Sequence, residues 1–271
     1  MFGYIRNIIL TIGSYTLLDK LGKKTISFFT GLGESAILVF QAARNLRYVF
    51  KDRHLIVEQM NLVGVNSLPL VCVTAIFAGM TSAVQAGYQL QGVASPNLLL
   101  GSATSRAITT ELGPVLTGLV LSGRFAASIA AEIGTMKVTE QIDALEMLAI
   151  NPIRYLALPR ILAGLLMMPV LIIFTDIVAI CGSMFIGFTT MDVSPQAFLS
   201  SMQKFMTMTD LFSGLIKAVF FGASTAIVGC FVGFATEGGA EGVGMATIKA
   251  FVLSSAAILV NDYLVASVLL L

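Results

Sequence analysis

The sequence predicts an all-α polytopic membrane protein: about five transmembrane helices, N-terminal interfacial amphipathic helices, and a cytoplasmic helix between the second and third spans. Three observations predict it. Hydrophobic residues make up 56% of the chain and charged residues only 11%, with a mean hydropathy of +0.90, whereas about a quarter of a soluble chain is charged. The apolar residues form runs long enough to cross a bilayer, which takes about 20 residues. The ionisable residues are gathered into a few segments, above all the polar island ending in Glu132, Lys137, Glu140, Asp143, Glu146, Arg154 and Arg160.

The spans follow from the runs. The first extends from Val63 to Tyr88 without a charge. The second runs from near Leu98, past Arg124, to about Ala131, and is longer than a bilayer requires, so its end projects beyond the membrane. The third covers about Ile161 to Phe188, the fourth Leu211 to Ala235, and the fifth about Ala250 to Leu271. Residues 1–55 read as cytoplasmic or interfacial helices and 56–271 as one transmembrane domain. The apolar start, with only Arg6 in its first residues and no small-x-small cleavage site, reads as an amphipathic surface anchor and not as a signal peptide.

Orientation comes from the basic residues. Arg6, Lys20, Lys23, Lys24, Arg44, Arg47, Lys51 and Arg53 precede the first span, and the connection from Gln89 to Ser105 has no charge. The next connection carries Lys137 and Arg154, with Arg124 and Arg160 at its margins, and the one after it a single base, Lys204. The N-terminus and the island are expected in the cytoplasm and the C-terminus outside. The last loop, with Glu237, Glu241 and Lys249, adds little.

Several classes of function are disfavoured. A net charge of +1 gives no electrostatic basis for binding nucleic acid. Cys72, Cys181 and Cys230 lie far apart in apolar runs and the one histidine, His54, sits in a basic stretch, so no metal or redox site is expected. Small residues recur every fourth position, as in Gly79, Ala83, Gly87 and in Gly118, Ser122, Ala126, Ala130. That spacing lets helices approach closely, within one subunit or across a dimer.

Within the island, Val138, Ile142, Leu145 and Ala149 form an apolar stripe, predicting an amphipathic helix over about 134–150 with Glu140, Asp143 and Glu146 off the stripe. Asn151-Pro152 is expected to stop it, and Pro159 to break the chain again before the third span. On periodicity alone this could be a solvated connector. The residues ELGPVLTGLVLSGR followed by AAEIGTMKVTEQIDALEMLAINPIRYLALPR resemble the signature of the MlaE permease family, membrane subunits of ABC transporters that move phospholipids. The resemblance runs from about Gly22 to the C-terminus and is strongest from Glu111 to Arg160.

That resemblance implies that Thr139, Glu140, Gln141, Ile142, Asp143, Ala144, Leu145 and Glu146 form a coupling helix that docks on a cytoplasmic ABC ATPase. It implies a homodimer with a lipid cavity between the subunits and a periplasmic MCE-domain lipid carrier on the outer side. ATP and Mg would be bound by the ATPase, with no cofactor in this chain; there is indeed no GxxxxGK[ST] stretch to cradle phosphates. A bacterial inner membrane is the expected location. The chain departs from the family where Thr110 stands in place of an arginine before Glu-Leu-Gly-Pro, and where Met245 and Ile248 replace an arginine and a threonine.

Charges inside spans are candidates for function. Glu111 is placed by the resemblance near the lipid cavity, as a structural partner or a headgroup contact. Arg124 can snorkel toward an interface, Asp176 reads as a polar helix contact, and Asp262 as an interhelical hydrogen-bond partner. Val84, Gln85, Tyr88, Leu90 and Leu98 are the expected cavity residues, offering apolar walls and a few polar groups. The function expected is a non-catalytic permease moving phospholipid between the inner membrane and a periplasmic carrier. An ion-coupled secondary transporter of a lipophilic substrate is the alternative, with Asp176 and Asp262 in its favour; a lipid enzyme lacks a nucleophile–base constellation.

Overall fold

The computed structural model describes residues 22, 23, 25, 26, 29–90 and 96–270. The expected surface anchor before Gly22 lies outside the described residues, as does the side chain of Leu98. Among the described residues there is no strand.

Eight helices matter for the argument. Helix α1 covers residues 29–44. The first span, α2, runs Arg53–Gln89; the second, α3, Leu99–Val138; then come the short α4, Gln141–Met147, and the third span α5, Ile153–Met191. Helix α6 covers Pro195–Phe205, followed by the fourth span α7, Met208–Phe234, and the fifth, α8, Gly239–Leu270. Five of these are long and apolar enough to cross a membrane, with mean hydropathies between 1.4 and 2.4.

The spans are longer than their apolar runs. Hydropathy marks only the part of a helix that must sit in hydrocarbon, whereas the backbone hydrogen-bond ladder continues until the chain turns out of helical geometry, as at Glu140 and Asp192. The fifth span shows this most clearly. It starts at Gly239, just after the positive-φ turn at Gly238, so Glu241 and Lys249 lie on the helix and not in the loop where the sequence placed them. In the first span, Pro69 has no N–H to offer its preceding turn, and a 3₁₀ turn, Val65–Ser67, joins two α-helical segments.

The island also departs from its predicted form. The second span continues to Val138, the chain kinks at Glu140 with φ of 61°, and α4 begins only at Gln141. Val138 therefore belongs to the span, and the expected helix over 134–150 is two helices. Helix α4 ends at Met147 because Ala149 turns left-handed at φ 57°, before Asn151-Pro152 is reached. Asn151 Oδ1 instead starts the next helix, accepting from the backbone of Ile153 at 2.9 Å and Arg154 at 3.3 Å. Nor does Pro159 break the third span. A π-helical turn, Ile153–Ala157, absorbs the missing donor and the helix runs on to Met191.

Packing is built on backbone proximity. A side chain on Gly79 would run into the Ala179 carbonyl of the third span, and one on Gly222 into the backbone of Gly164. Ala83, Ala126 and Ala130 are fully buried and Gly118 faces Phe221 and Ile258. The small-residue rows thus serve contacts within the subunit. One apolar cluster gathers Leu38 of α1, Val63, Phe125, Ile129 and Ile133 with Ile142 of α4, so the short helix is anchored to the bundle by its inward face.

Candidate functional site

The central polar feature is one buried lysine. Lys217 of the fourth span is fully buried, and its Nζ lies 2.7 Å from Glu111 Oε1 of the second span and 2.9 Å from Asp262 Oδ1 of the fifth. It also donates to the Thr110 carbonyl at 2.9 Å. The local sequence explains that carbonyl. Residues Ile108–Leu112 form a π-turn and Pro114 has no N–H, so the carbonyls behind it lack their usual helical donor. Lysine satisfies Thr110, while the Thr109 carbonyl closes against the backbone of Gly214, where a Cβ would not fit.

A charge inside apolar surroundings persists only if paired and hydrogen-bonded. Here one ammonium is shared by two carboxylates and joins three spans. Glu111 keeps 43% of its side chain exposed and Asp262 20%, so the cluster opens on one side. A second ion pair lies seven residues earlier on α7, on the same helical face: Arg106 Nε sits 3.2 Å from Asp210 Oδ1. Asp210 is fixed in turn by a capping box with Thr207. The seam between second and fourth spans therefore reads cation–anion, then anion–cation.

The sequence singled out Glu111 and Asp262 but not the lysine that brings them together. Two acids within apolar helices require a base, and Lys217 is the basic residue within the fourth apolar run, so charge balance was the available signal. Asp176 departs from its expected role as a polar contact. It is 8% exposed, its Oδ1 has no hydrogen-bond partner, and it occupies the space that a side chain on Gly113 would fill. Beside it Thr117 and Thr175 share a hydrogen bond of 2.7 Å between the second and third spans.

The expected cavity residues separate into two groups. Val84, Gln85 and Tyr88 are exposed together along the first span, Tyr88 at 74%. Leu90 turns away and packs with Leu100, Val193 and Phe198. Within one subunit the three exposed residues form a strip along the first span.

Helix α4 is the other candidate site. Ile142 is buried and Leu145 partly so, whereas Thr139, Glu140, Gln141, Asp143, Ala144 and Glu146 are exposed. Thr139 Oγ1 donates to the Thr135 carbonyl at 2.7 Å and accepts from Gln141 Nε2 at 3.0 Å, which stiffens the kink. Lys137 meets Asp143 at 3.2 Å. Two apolar residues at the tip were not anticipated: Met147 is 87% exposed and Leu148 71%. The tip is apolar and the flank acidic, a surface suited to a partner with an apolar groove and basic rim.

The connection after α4 is clamped. Arg154 donates to both Asp52 oxygens, Nε at 2.7 Å and Nη2 at 3.0 Å, and its guanidinium stacks 4.0 Å from the Tyr48 ring centre. Those hydrogen bonds hold the Asp52 carboxyl below the usual carboxylate range, outweighing partial burial.

Five helices long and apolar enough to cross a membrane, sharing an internal charge cluster and bearing one short helix between the second and third, define an all-α integral membrane protein. A family model described as Permease MlaE matches residues 56–268. The chain is 38% identical over 253 residues to a probable ABC transporter permease protein of Rickettsia typhi, covering 93% of this chain and 97% of the relative. A probable ABC transporter permease protein of Synechocystis is 40% identical over 251 residues, covering 93% and 92%. The intermembrane phospholipid transport system permease protein MlaE of Haemophilus influenzae is 34% identical over 253 residues, covering 93% and 97%. The chain belongs to the MlaE family of ABC transporter permeases.

Proposed function

We propose that this permease moves phospholipid across or out of a bacterial inner membrane, working as a homodimer driven by a separate cytoplasmic ABC ATPase that binds ATP and Mg. In this reading the N-terminus and α4 lie in the cytoplasm, the C-terminus in the periplasm, and a periplasmic MCE-domain protein exchanges lipid with the outer side. No covalent chemistry falls to this chain. The observation that carries the reading is mechanical: the second span ends in the kink that bears α4 and, farther along, supplies Glu111 to Lys217 and Asp262. A push on the exposed acidic flank of α4 is thereby delivered to the charge cluster joining three spans. The name of the Haemophilus influenzae relative supports phospholipid as cargo.

ATP can drive such a shift only if it favours one arrangement over the other. The test is co-purification with the ATPase, followed by lipid-stimulated ATP hydrolysis in proteoliposomes. Charge reversal at Glu140 and Asp143 is expected to abolish both; retention of ATPase binding by Glu140→Lys/Asp143→Lys sinks the assignment of α4. A second reading, an ion-coupled transporter, draws on the two carboxylates that meet at Lys217. It requires transport that collapses with the proton gradient and persists without ATP.

A further inference from the structure

A small cavity of mixed lining, separate from the Lys217 cluster, lies between the first and second spans. It measures about 90 Å³; Gln59, Asn66, Ser67, Arg124, Ser128 and Glu132 form its polar side and four apolar side chains the rest. Arg124 is exposed and, among the described residues, has neither an ion-pair nor a hydrogen-bond partner. Ser67 is only 1% exposed and its Oγ is likewise unpartnered. Glu132 does not neutralise the arginine, because it is held by Arg160 at 2.9 Å and accepts from Ser128 at 3.3 Å.

An uncompensated arginine within an apolar helix is costly, and so is a buried hydroxyl without a partner. Both point to a ligand that supplies acceptor oxygens. Asn66 and Gln59 add amide donors to the same wall. The cavity lies toward the end of the second span that leads to α4: Arg124 precedes Val138, the last residue of that span, by fourteen residues. A long arginine side chain can extend toward that end and a lipid headgroup there.

We propose that this cavity binds the phosphate of a phospholipid of the cytoplasmic leaflet, with Arg124 as its cation and Ser67 as a buried donor. It is a lipid site distinct from the Lys217 cluster, and it rests on the phospholipid reading above. The guanidinium fork matches two phosphate oxygens, and the cavity is small enough to take a phosphate while the acyl chains stay outside in the bilayer.

The full chain with its ATPase, in phosphatidylcholine nanodiscs doped with a phosphatidylglycerol carrying a photoreactive diazirine near the glycerol, provides the test. Crosslinked peptides are mapped by mass spectrometry. Labelling is expected on the Gln59–Ser67 and Arg124–Glu132 segments. Arg124→Gln should reduce it about tenfold, equivalent to about 1.4 kcal/mol, with labelling at lipid-facing Phe174 unchanged. Ser67→Ala, which leaves the arginine in place, should reduce it about threefold and carries the test if Arg124→Gln does not fold. Unchanged labelling in the variant that folds overturns the site. So does equal labelling by a diazirine diacylglycerol without phosphate. Arg124-dependent binding of inorganic phosphate without any Arg124-dependent lipid labelling would assign the cavity to the free ion and also overturn a lipid site. Phospholipid transport that persists while labelling is indifferent to Arg124 removes this site alone; absent transport with Arg124-dependent labelling removes the transport reading alone.

Discussion

Arg160 and Glu132, 28 residues apart, meet at the root of the loop that carries α4: Nη2 lies 2.9 Å from Oε2, while Nη1 donates to the Leu156 carbonyl at 2.8 Å. The pair closes the segment between them into a hairpin held at its base. The two partners are unequal, since the arginine side chain is 9% exposed and the glutamate 41%. Glu132→Gln, which keeps an acceptor in a half-exposed position, should cost less than about 1 kcal/mol. Arg160→Leu loses two contacts to charged nitrogens and should cost about 1–3 kcal/mol. Thermal unfolding of the purified variants in detergent checks the order, and a larger loss for Glu132→Gln contradicts it.

Lys217 should be the most sensitive single position in the membrane. Lys217→Met leaves Glu111 and Asp262 facing each other without a cation, and breaking a buried ion pair from one side costs about 3–5 kcal/mol. The triple variant Lys217→Met/Glu111→Gln/Asp262→Asn removes all three charges and should recover most of that stability. If both variants unfold at the same temperature, the lysine is not balancing the two acids. Transport by the stable triple variant then reports whether the cluster acts beyond holding spans together.

Asp52 gives the fold a pH dependence of known sign. Its carboxyl is held below the usual range by Arg154, so folding favours the ionised form. The contribution is complete above the unfolded value of about 3.9 and is lost as pH falls through the lower folded value. Wild type should therefore be insensitive to this group from neutrality to about pH 5 and weaken in stronger acid. Asp52→Asn should be less stable at neutral pH, with a shallower loss on acidification. Parallel curves for the two proteins between about pH 5 and pH 2 would show that the pair carries no linkage.

Close approach of the first and third spans makes Gly79 intolerant of any side chain. The added carbon of Gly79→Ala meets the Ala179 carbonyl, which is backbone and cannot turn away. Overpacking of this kind costs about 1–3 kcal/mol. Gly33, with open space around it, is the control: Gly33→Ala should leave unfolding unchanged or raise it slightly. Equal effects at the two positions would contradict the packing described.

Hydropathy located all five spans because the cost of polar groups in hydrocarbon is written residue by residue. It missed the ends, as at Gly239, because helices outlast their apolar segment. The stripe from Val138 to Ala149 suggested one helix because spacing records which face is apolar and is silent about a backbone turn at Glu140, a residue with no special left-handed preference. Glu111 and Asp262 were legible as isolated intramembrane acids. Their convergence on Lys217 was not, since it depends on the packing of three spans that are far apart in sequence. Met147 and Leu148 lie off the apolar stripe and were not singled out; the early end of α4 leaves them exposed.

That outward tip yields the sharpest test of coupling. Met147 and Leu148 are 87% and 71% exposed, so Met147→Glu/Leu148→Glu removes no internal packing and should leave the unfolding midpoint within the small range typical of surface changes. An ATPase that seats the tip in an apolar pocket would have to bury two new carboxylates beside the existing Glu146, where desolvation and like charge both oppose binding. Loss of two buried apolar side chains at an interface centre corresponds to at least about tenfold in affinity. Co-purification should fall accordingly, and lipid-stimulated ATP hydrolysis with it. Glu140→Gln/Asp143→Asn, which removes the acidic flank and spares the tip, should weaken binding less and slow association in a salt-dependent manner. If the tip variant binds normally while the flank variant does not, recognition of α4 is electrostatic and the apolar tip faces solvent or lipid in the assembled transporter.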